Sequence, residues 1–434
     1  MMNDEKNNHL IADEIISNCK NEKSTDDFIN FVKYFCFALP EYKDWNVDNL
    51  SWISRNLYDF SQHRDASQPK IYIYNSDKEE YENKTICELV VTDSPFIVDS
   101  ITEAMKSLNI NPECMINSIV PVNRDENGDR INIKVFDEDK DKNELNDSDF
   151  KESIIYYSFV RLTDDEISCL EQALHEVLLA VRYSVDDWRD MTLDINNAIN
   201  TLDEQNNSSV EKGNHREVSD FLNWLLNNHF VFLGIQDFTV KKKSGDKLDI
   251  QEGQVLGICK IKKFCSLLAI NTINFSSNIY LTYSKIISIV HRRVNMDLII
   301  LRIFLDEKKE YFIEKRILGL FSSIVYYVDI LTIPIIRQKV EYISKKTRFL
   351  KGGHNHKLLI SILQDFPRAE LLHANQDELY RFCMEIISLH SKPQVKVLIS
   401  NDYVGMFVRC IIFIPHSIFS TALWLSIQET ILEE

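Results

Sequence analysis

His354 and His356 form an H-x-H pair in the run Gly352-Gly353-His354-Asn355-His356-Lys357. A metal site needs third and fourth ligands. No carboxylate or cysteine stands nearby at a convincing spacing, so the pair reads as a helix-entry turn and no metal is assigned. His291-Arg292-Arg293 offers guanidinium forks that suit carboxylate or phosphate. In an acidic chain the triplet reads more simply as a set of structural ion pairs. Cys259 and Cys265 lack the CxxC spacing of a redox pair and read as buried thiols. Neither G-x-S-x-G nor H-E-x-x-H occurs, and scattered Ser, His and Asp residues form no constellation in one dimension. No catalytic residue is assigned. Asp93-Ser94-Pro95-Phe96 leads into an apolar stripe, Ile97, Ile101, Met105 and Leu108, at helical spacing. Ser94 is expected to cap that helix and Pro95 to open it.

Glycine decides against a nucleotide site. The chain has 10 glycines in 434 residues, against an ordinary usage of about 7%. None is arranged as G-x-G-x-x-G or G-x-x-x-x-G-K, the patterns that bring backbone amides onto phosphate. No cofactor-binding residue is assigned. A formal net charge of -17 disfavours nucleic acid, because such a partner requires clustered Lys and Arg. Nine cysteines, odd in number and scattered, together with no leader-like segment, point to reduced thiols in a cytoplasm. With 44% hydrophobic and 26% charged residues, the class is soluble and globular, of two to four domains at roughly 100–200 residues each.

The elements that must position these residues follow from periodicity. Asp26 and Asp27 precede a helical run from Phe28 to Leu39 that Pro40 stops, and Val47 to Phe60 repeats the helical pattern. Lys70 to Tyr74 and Ile86 to Val91 read as strands, and the Asp93 turn and its helix follow. Cys114 to Val122 and Ile131 to Phe136 read as a strand pair turning at Asp125-Glu126-Asn127-Gly128. The acidic stretch from Asp137 to Lys151 reads as a mobile loop. Ile154 to Leu162 is the next strand, and Thr163 begins a long helix through Arg182. The order strand, strand, helix, strand, strand, strand, helix predicts a ferredoxin-like α+β fold, with helices on one face of an antiparallel sheet. Among small domains this is similar to the ACT-like group of amino-acid sensors. That likeness makes Asp93, Ser94, Pro95 and Asp99 a candidate effector loop, with Phe96 where the group carries a glycine.

A polar stretch from Asp203 to Gly213 reads as a linker. A helix from His215 to Asn228 follows, then a strand from Phe230 to Val240 ending at the basic turn Lys241 to Gly245. Asp297 to Leu305 and Lys309 to Phe321 read as strands joined by Asp306-Glu307-Lys308. Pro334 is expected to open a helix carrying Arg337, Lys339, Lys345 and Lys346 on its polar side. Further helices are expected over His356 to Phe366 and Gln376 to His390. Ile317 to Ile336 is long and apolar enough to weigh as a membrane span. Asp329, Pro334 and the flanking Arg316 and Arg337 argue for a core segment instead. Two strands, Gln394 to Ile399 and Val404 to Ile414, and a helix from Ser417 to Leu432 end the chain, too little to bury a core alone.

Several runs in fixed order resemble the large bacterial NAD-specific glutamate dehydrogenases. They are Asp93 to Ser100 (DSPFIVDS), Val181 to Arg189 (VRYSVDDWR), His229 to Leu233 (HFVFL), Arg316 to Ser323, Ile333 to Val340, Pro367 to Leu372 (PRAELL) and Asp402 to Pro415. The resemblance implies a non-catalytic N-terminal region of ACT-like and PAS-like modules, with the NAD-binding catalytic domain outside it. It implies this division: N-terminal helices at 1–66, a first ACT-like domain at 67–190, a helix end and linker at 191–214, a PAS-like α+β domain at 215–333, a helical connector at 334–392 and a truncated ACT-like module at 393–434. Val404-Gly405-Met406-Phe407 and Phe413-Ile414-Pro415-His416 depart from the family's pattern, consistent with a fragment of a split gene.

Three readings follow. In the first, the chain is a regulatory or assembly segment of such an enzyme, inactive alone, whose companion chain supplies the catalytic domain and NAD. The second is a free-standing sensor of an amino-acid effector that self-associates, and polar groups kept beside Asp93 would support it. The third, a membrane-associated remnant using Ile317 to Ile336, is the least supported.

Overall fold

The computed structural model describes residues 2–19, 25–39, 46–65, 68–78, 83–136, 150–208, 212–243, 247–267, 278–306, 310–391, 393–401 and 408–432. Several expectations therefore fall wholly or partly outside the described residues: most of the acidic stretch after Asp137, the middle of the expected linker at 209–211, the turns at Ser244-Gly245 and Glu307-Lys308, and the run from Val404 to Phe407. Contacts divide the chain into two units. The first comprises Met1–Arg182 with Ile289–Arg293, and the second Tyr183–Ser288 with Val294–Glu434.

The first unit opens with α1 (Met2–Cys19), α2 (Asp26–Phe37) and α3 (Val47–Phe60). Thr25 Oγ1 caps α2, and Asn46 Oδ1 accepts from Asp48 N and Asn49 N to cap α3. Next come β1 (Lys70–Asn75), β2 (Lys84–Thr92), α4 (Ile97–Ser107), β3 (Cys114–Arg124), β4 (Arg130–Ile133), β5 (Lys151–Val160) and α5 (Asp164–Asp186). The strands form one antiparallel sheet in the order β1-β2-β5-β3-β4. The element order is the expected one. The two helices of that order, α4 and α5, lie on one face as expected, and the N-terminal helices α2 and α3 cover the other. Ile86, Val90, Ile116, Val120, Ile154 and Tyr156 join the core made with Phe28, Phe31, Phe35, Leu50 and Leu57 of α2 and α3. The alternate residues turn to the other side, where Tyr157 lies beside Thr102 of α4 and Cys87 lies within electrostatic reach of Glu171 of α5. The reason is legible in β2 and β5, which are buried at consecutive positions, as a strand covered on both sides must be. The hairpin between β3 and β4 turns at Gly128, whose φ of +89° and 2.3 Å clearance from Arg64 O to an added Cβ admit glycine alone.

In the second unit α6 (Trp188–Ser208) and α7 (Lys212–Trp224) precede β6 (Phe230–Lys243) and β7 (Lys247–Gly257). The linker expected over 203–213 is corrected at its described residues, which are helical up to Ser208 and again from Lys212. Helix α6 continues through Ser208, because Met191, Ile195, Ala198, Ile199 and Leu202 form a buried stripe at helical spacing. Then follow α8 (Lys262–Leu267), β8 (Ile279–Ile287), β9 (Asn295–Phe304) and β10 (Tyr311–Phe321). The five strands form an antiparallel sheet ordered β7-β6-β10-β9-β8. One face, with Ile235, Ile299, Leu301 and Ile317, packs in a core with α6, α7, α9 (Ile336–Thr347), α10 (His354–Asp365), α11 (Arg368–His373) and α12 (Gln376–Ser391). The apolar run 317–336 is the end of β10 followed by two short turns, and among the described residues no helix is long and apolar enough to cross a membrane.

The last elements are β11 (Lys396–Asn401), β12 (Val408–Phe413) and α13 (Thr421–Leu432). Among the described residues the two strands pair only with each other. Leu398 is buried in the second unit's core, with Ile411 and Phe413 packed against it. Helix α13 has no buried residue.

Candidate functional site

The Asp93 turn in the first unit differs from its expected form. Helix α4 begins at Ile97, its cap residue is Phe96 at φ 74°, and no side chain caps it. Ser94 is therefore not the N-cap, and Pro95 lies before the helix. A left-handed aromatic residue is rare and held only where its surroundings fix it. Here the Phe96 ring lies 5.1 Å from the His291 ring, itself on a residue at φ 65°. His291 N donates to Ser100 Oγ at 2.8 Å, and His291 Nδ1 is 3.0 Å from Asp99 Oδ2. Asp93 points elsewhere: its amide donates to Lys151 O, and its Oδ1 accepts from Ser153 Oγ at 2.6 Å. The structure thus gathers Asp99, Ser100, Phe96 and His291, and gives Asp93 to the sheet. Ser100 and the role of His291 escaped sequence reasoning because the two residues stand 191 positions apart.

The second unit holds a cleft of about 810 Å³. Edge strand β8 supplies Ile279, Tyr280 and Leu281, α9 supplies Lys339, Glu341 and Tyr342, and the α11–α12 junction supplies His373 to Asp377. Helix α9 starts at Ile336, two residues after Pro334; Ile335 sits at φ 68°, its amide held by Glu217 Oε1 at 2.8 Å. Proline therefore precedes the helix and does not open it. Arg337 pairs with Glu217 and Asp220. Lys339 is not on a polar side. Its Nζ donates to Leu371 O, Leu372 O and Ala374 O at 2.8, 2.6 and 2.8 Å. These are the carbonyls at the C-terminal end of α11, where a cation meets the negative end of the helix dipole. Burial pushes Lys339 down to about 7, with Arg409 acting in the same direction and Glu378 against it.

His373 lines the cleft and is 7% exposed. Its ring meets Tyr283 edge-on at 4.3 Å, and its Nε2 lies 3.3 Å from Asp297 Oδ1, outside hydrogen-bond alignment. Burial and the carboxylate of Asp297 hold the Tyr283 phenol well above its ordinary range. Behind the sheet, Glu314 accepts from both Arg302 and Arg316, with all three side chains at most 5% exposed. Lys315 Nζ bridges Asp194 and Asp237. Both clusters are charge pairs closed within the fold. The H-x-H pair sits in the first turn of α10, with His354 exposed. Among the described residues, no group of three or more His, Cys, Asp or Glu is placed to hold a metal ion. Cys259 is buried, as expected.

Residues 31–174 match the family model for the glutamate dehydrogenase ACT1 domain, and residues 333–392 match glutamate dehydrogenase helical motif 1. The NAD-specific glutamate dehydrogenase of Halomonas elongata is 28% identical over 429 residues, which cover 96% of this chain and 26% of that protein. Along nearly its whole length the chain is similar to NAD-specific glutamate dehydrogenases. The enzyme of the same name from Pseudomonas aeruginosa is 27% identical over 91% of this chain and 25% of its own length. For that of Mycobacterium tuberculosis the figures are 20%, 88% and 23%. The chain spans about a quarter of the length of these relatives. The ACT1 match covers the first unit's sheet, and the helical-motif match covers α9 to α12, including the Lys339 clasp on α11.

The family name raises the question of NAD, whose pyrophosphate needs a glycine-rich strand-to-helix turn. Among the described residues none fits it. Gly234, Gly253 and Gly319 lie inside strands, and Gly257, the last residue of β7, closes onto Leu233 O, 2.1 Å from an added Cβ. Gly352 and Gly353 precede α10 but follow a helix.

Proposed function

We propose that the chain is a non-catalytic regulatory or assembly segment of an NAD-specific glutamate dehydrogenase. In the complete enzyme, glutamate is converted to 2-oxoglutarate and ammonia with hydride transfer to NAD. The observation that carries this reading is the alignment itself. Relatives match along nearly the whole chain, while that chain amounts to a quarter of them. The catalytic and NAD-binding parts are those of the remaining three quarters of such an enzyme.

The five-stranded sheet of the second unit supports a PAS-like reading of 215–333. The β11–β12 pair with α13 supports an incomplete ACT-like module at 393–434. Ile418, Phe419, Trp424 and Leu425 are each about half exposed or more there, a surface suited to assembly with the companion chain. An amino-acid effector at Asp93, Ser94, Pro95 and Asp99 would compete with His291 for Asp99 and Ser100, which favours assembly over sensing at this turn.

The test mixes the purified chain with the separately expressed remaining three quarters of a relative. Co-elution on size exclusion and an altered glutamate-dependent rate are expected. Separate elution with an unchanged rate would overturn the reading.

A further inference from the structure

Asn127-Gly128 is the single Asn-Gly pair of the chain. Such a pair can react with itself, because no glycine side chain hinders the amide nitrogen from reaching the asparagine side-chain carbon. The fold places it at the tip of the β3–β4 hairpin, with Asn127 exposed and the backbone of Gly128 buried. Two sets of contacts hold it in a closed form there. Gly128 N, the atom that would attack, donates to Asp125 O at 3.1 Å. Asn127 N and Asp129 N donate to Asp125 Oδ1 at 2.9 and 2.8 Å. On the other side, Gly128 O accepts from Arg64 N at 3.0 Å and from Arg124 Nη1 at 2.8 Å. Arg124 is itself fixed by the buried carboxylate of Glu152.

We propose that Asn127 is a site of covalent self-modification, gated by the contacts of Asp125 and Arg124 around Gly128. When the hairpin tip opens, Gly128 N bonds to Asn127 Cγ and the Cγ–Nδ2 bond breaks. Ammonia leaves, carrying the proton that Gly128 N gives up. Water then opens the cyclic imide at either carbonyl, giving aspartate or isoaspartate, with no oxidant or reductant involved. Both products oppose closure. Aspartate adds a charge among Asp125, Glu126 and Asp129, and isoaspartate adds a methylene to the backbone directly before Gly128. An added Cβ at Gly128 already meets Arg64 O at 2.3 Å, so the tightly packed turn has no room for a longer backbone. The reaction converts a transient opening into a lasting one. The inference does not rest on the enzyme reading.

The experiment incubates the full chain at mildly alkaline pH, native and in guanidinium, and follows the peptide bearing Asn127 by mass spectrometry. Electron-transfer fragmentation distinguishes isoaspartate from aspartate. Conversion at Asn127 is expected in both samples, slower in the native chain by about tenfold or more, because only the locally opened tip reacts. Asp125→Ala and Arg124→Gln should each raise the native rate severalfold. Asp125 is exposed, so its variant carries the test if Arg124→Gln fails to fold. After conversion the Arg64 amide should exchange its hydrogen faster. Absence of conversion at Asn127 in the native chain, equal rates in the two samples, or an unchanged native rate in Asp125→Ala would overturn the proposal. An Arg64 amide that exchanges no faster after conversion would overturn it as well.

Discussion

Lys339 Nζ lies 2.6 Å from Leu372 O, so the ammonium of one helix closes the end of another. Two further carbonyls complete the set. Methionine at this position would fill the volume and strand three acceptors. Lys339→Met is therefore expected to destabilise the second unit by at least ~2 kcal/mol, the scale for a buried polar group losing its partner. Denaturant unfolding monitored by tryptophan fluorescence reads this directly. A change below ~0.5 kcal/mol would mean that water replaces the ammonium.

Two of the first unit's helix starts separate a true cap from an apparent one. Thr163 and Glu166 form a reciprocal box at α5: Glu166 N donates to Thr163 Oγ1 at 3.3 Å, and Thr163 N to Glu166 Oε2 at 2.8 Å. Thr163→Ala should cost about 1 kcal/mol. Ser94 makes no such bond at α4, so Ser94→Ala should stay within ~0.5 kcal/mol. Equal losses in thermal unfolding would restore Ser94 as a cap.

Glu88 sets a pH dependence of the first unit. Burial in β2 pushes its carboxyl up to about 7, with Lys70 only partly opposing. Oε1 has no partner. The folded state therefore holds a proton that the unfolded state, near the ordinary 4.5, has released. The stabilising contribution is fully present below about 4.5 and lost as pH rises through about 7, amounting to ~3 kcal/mol at the upper end. Glu88→Gln should flatten stability between pH 4.5 and 7. A slope unchanged in that variant would place the effect elsewhere.

Most elements of both sheets, and α3 to the residue, were legible from periodicity, because burial on one or two faces writes itself into local sequence. What failed did so for identifiable reasons. Lys339 was assigned to the polar side by residue type, although its spacing of three from Ile336 puts it beside the buried stripe of Ile336, Val340 and Ile343. The polar composition of 203–213 hid the end of α6, whose apolar stripe stops at Leu202. Ser94 and Pro95 fit every local rule for a helix start. The start is instead fixed near His291, a contact that no window of neighbouring residues contains. The Asp297–His373 proximity was invisible for the same reason.

The central claim is that this chain carries no glutamate dehydrogenase activity by itself. The direct measurement is NADH formation, followed at 340 nm, by the purified chain with glutamate and NAD, in a preparation from a host lacking its own enzyme. The account predicts no glutamate-dependent rate above the protein-free control. A rate that scales with the concentration of this chain would contradict it.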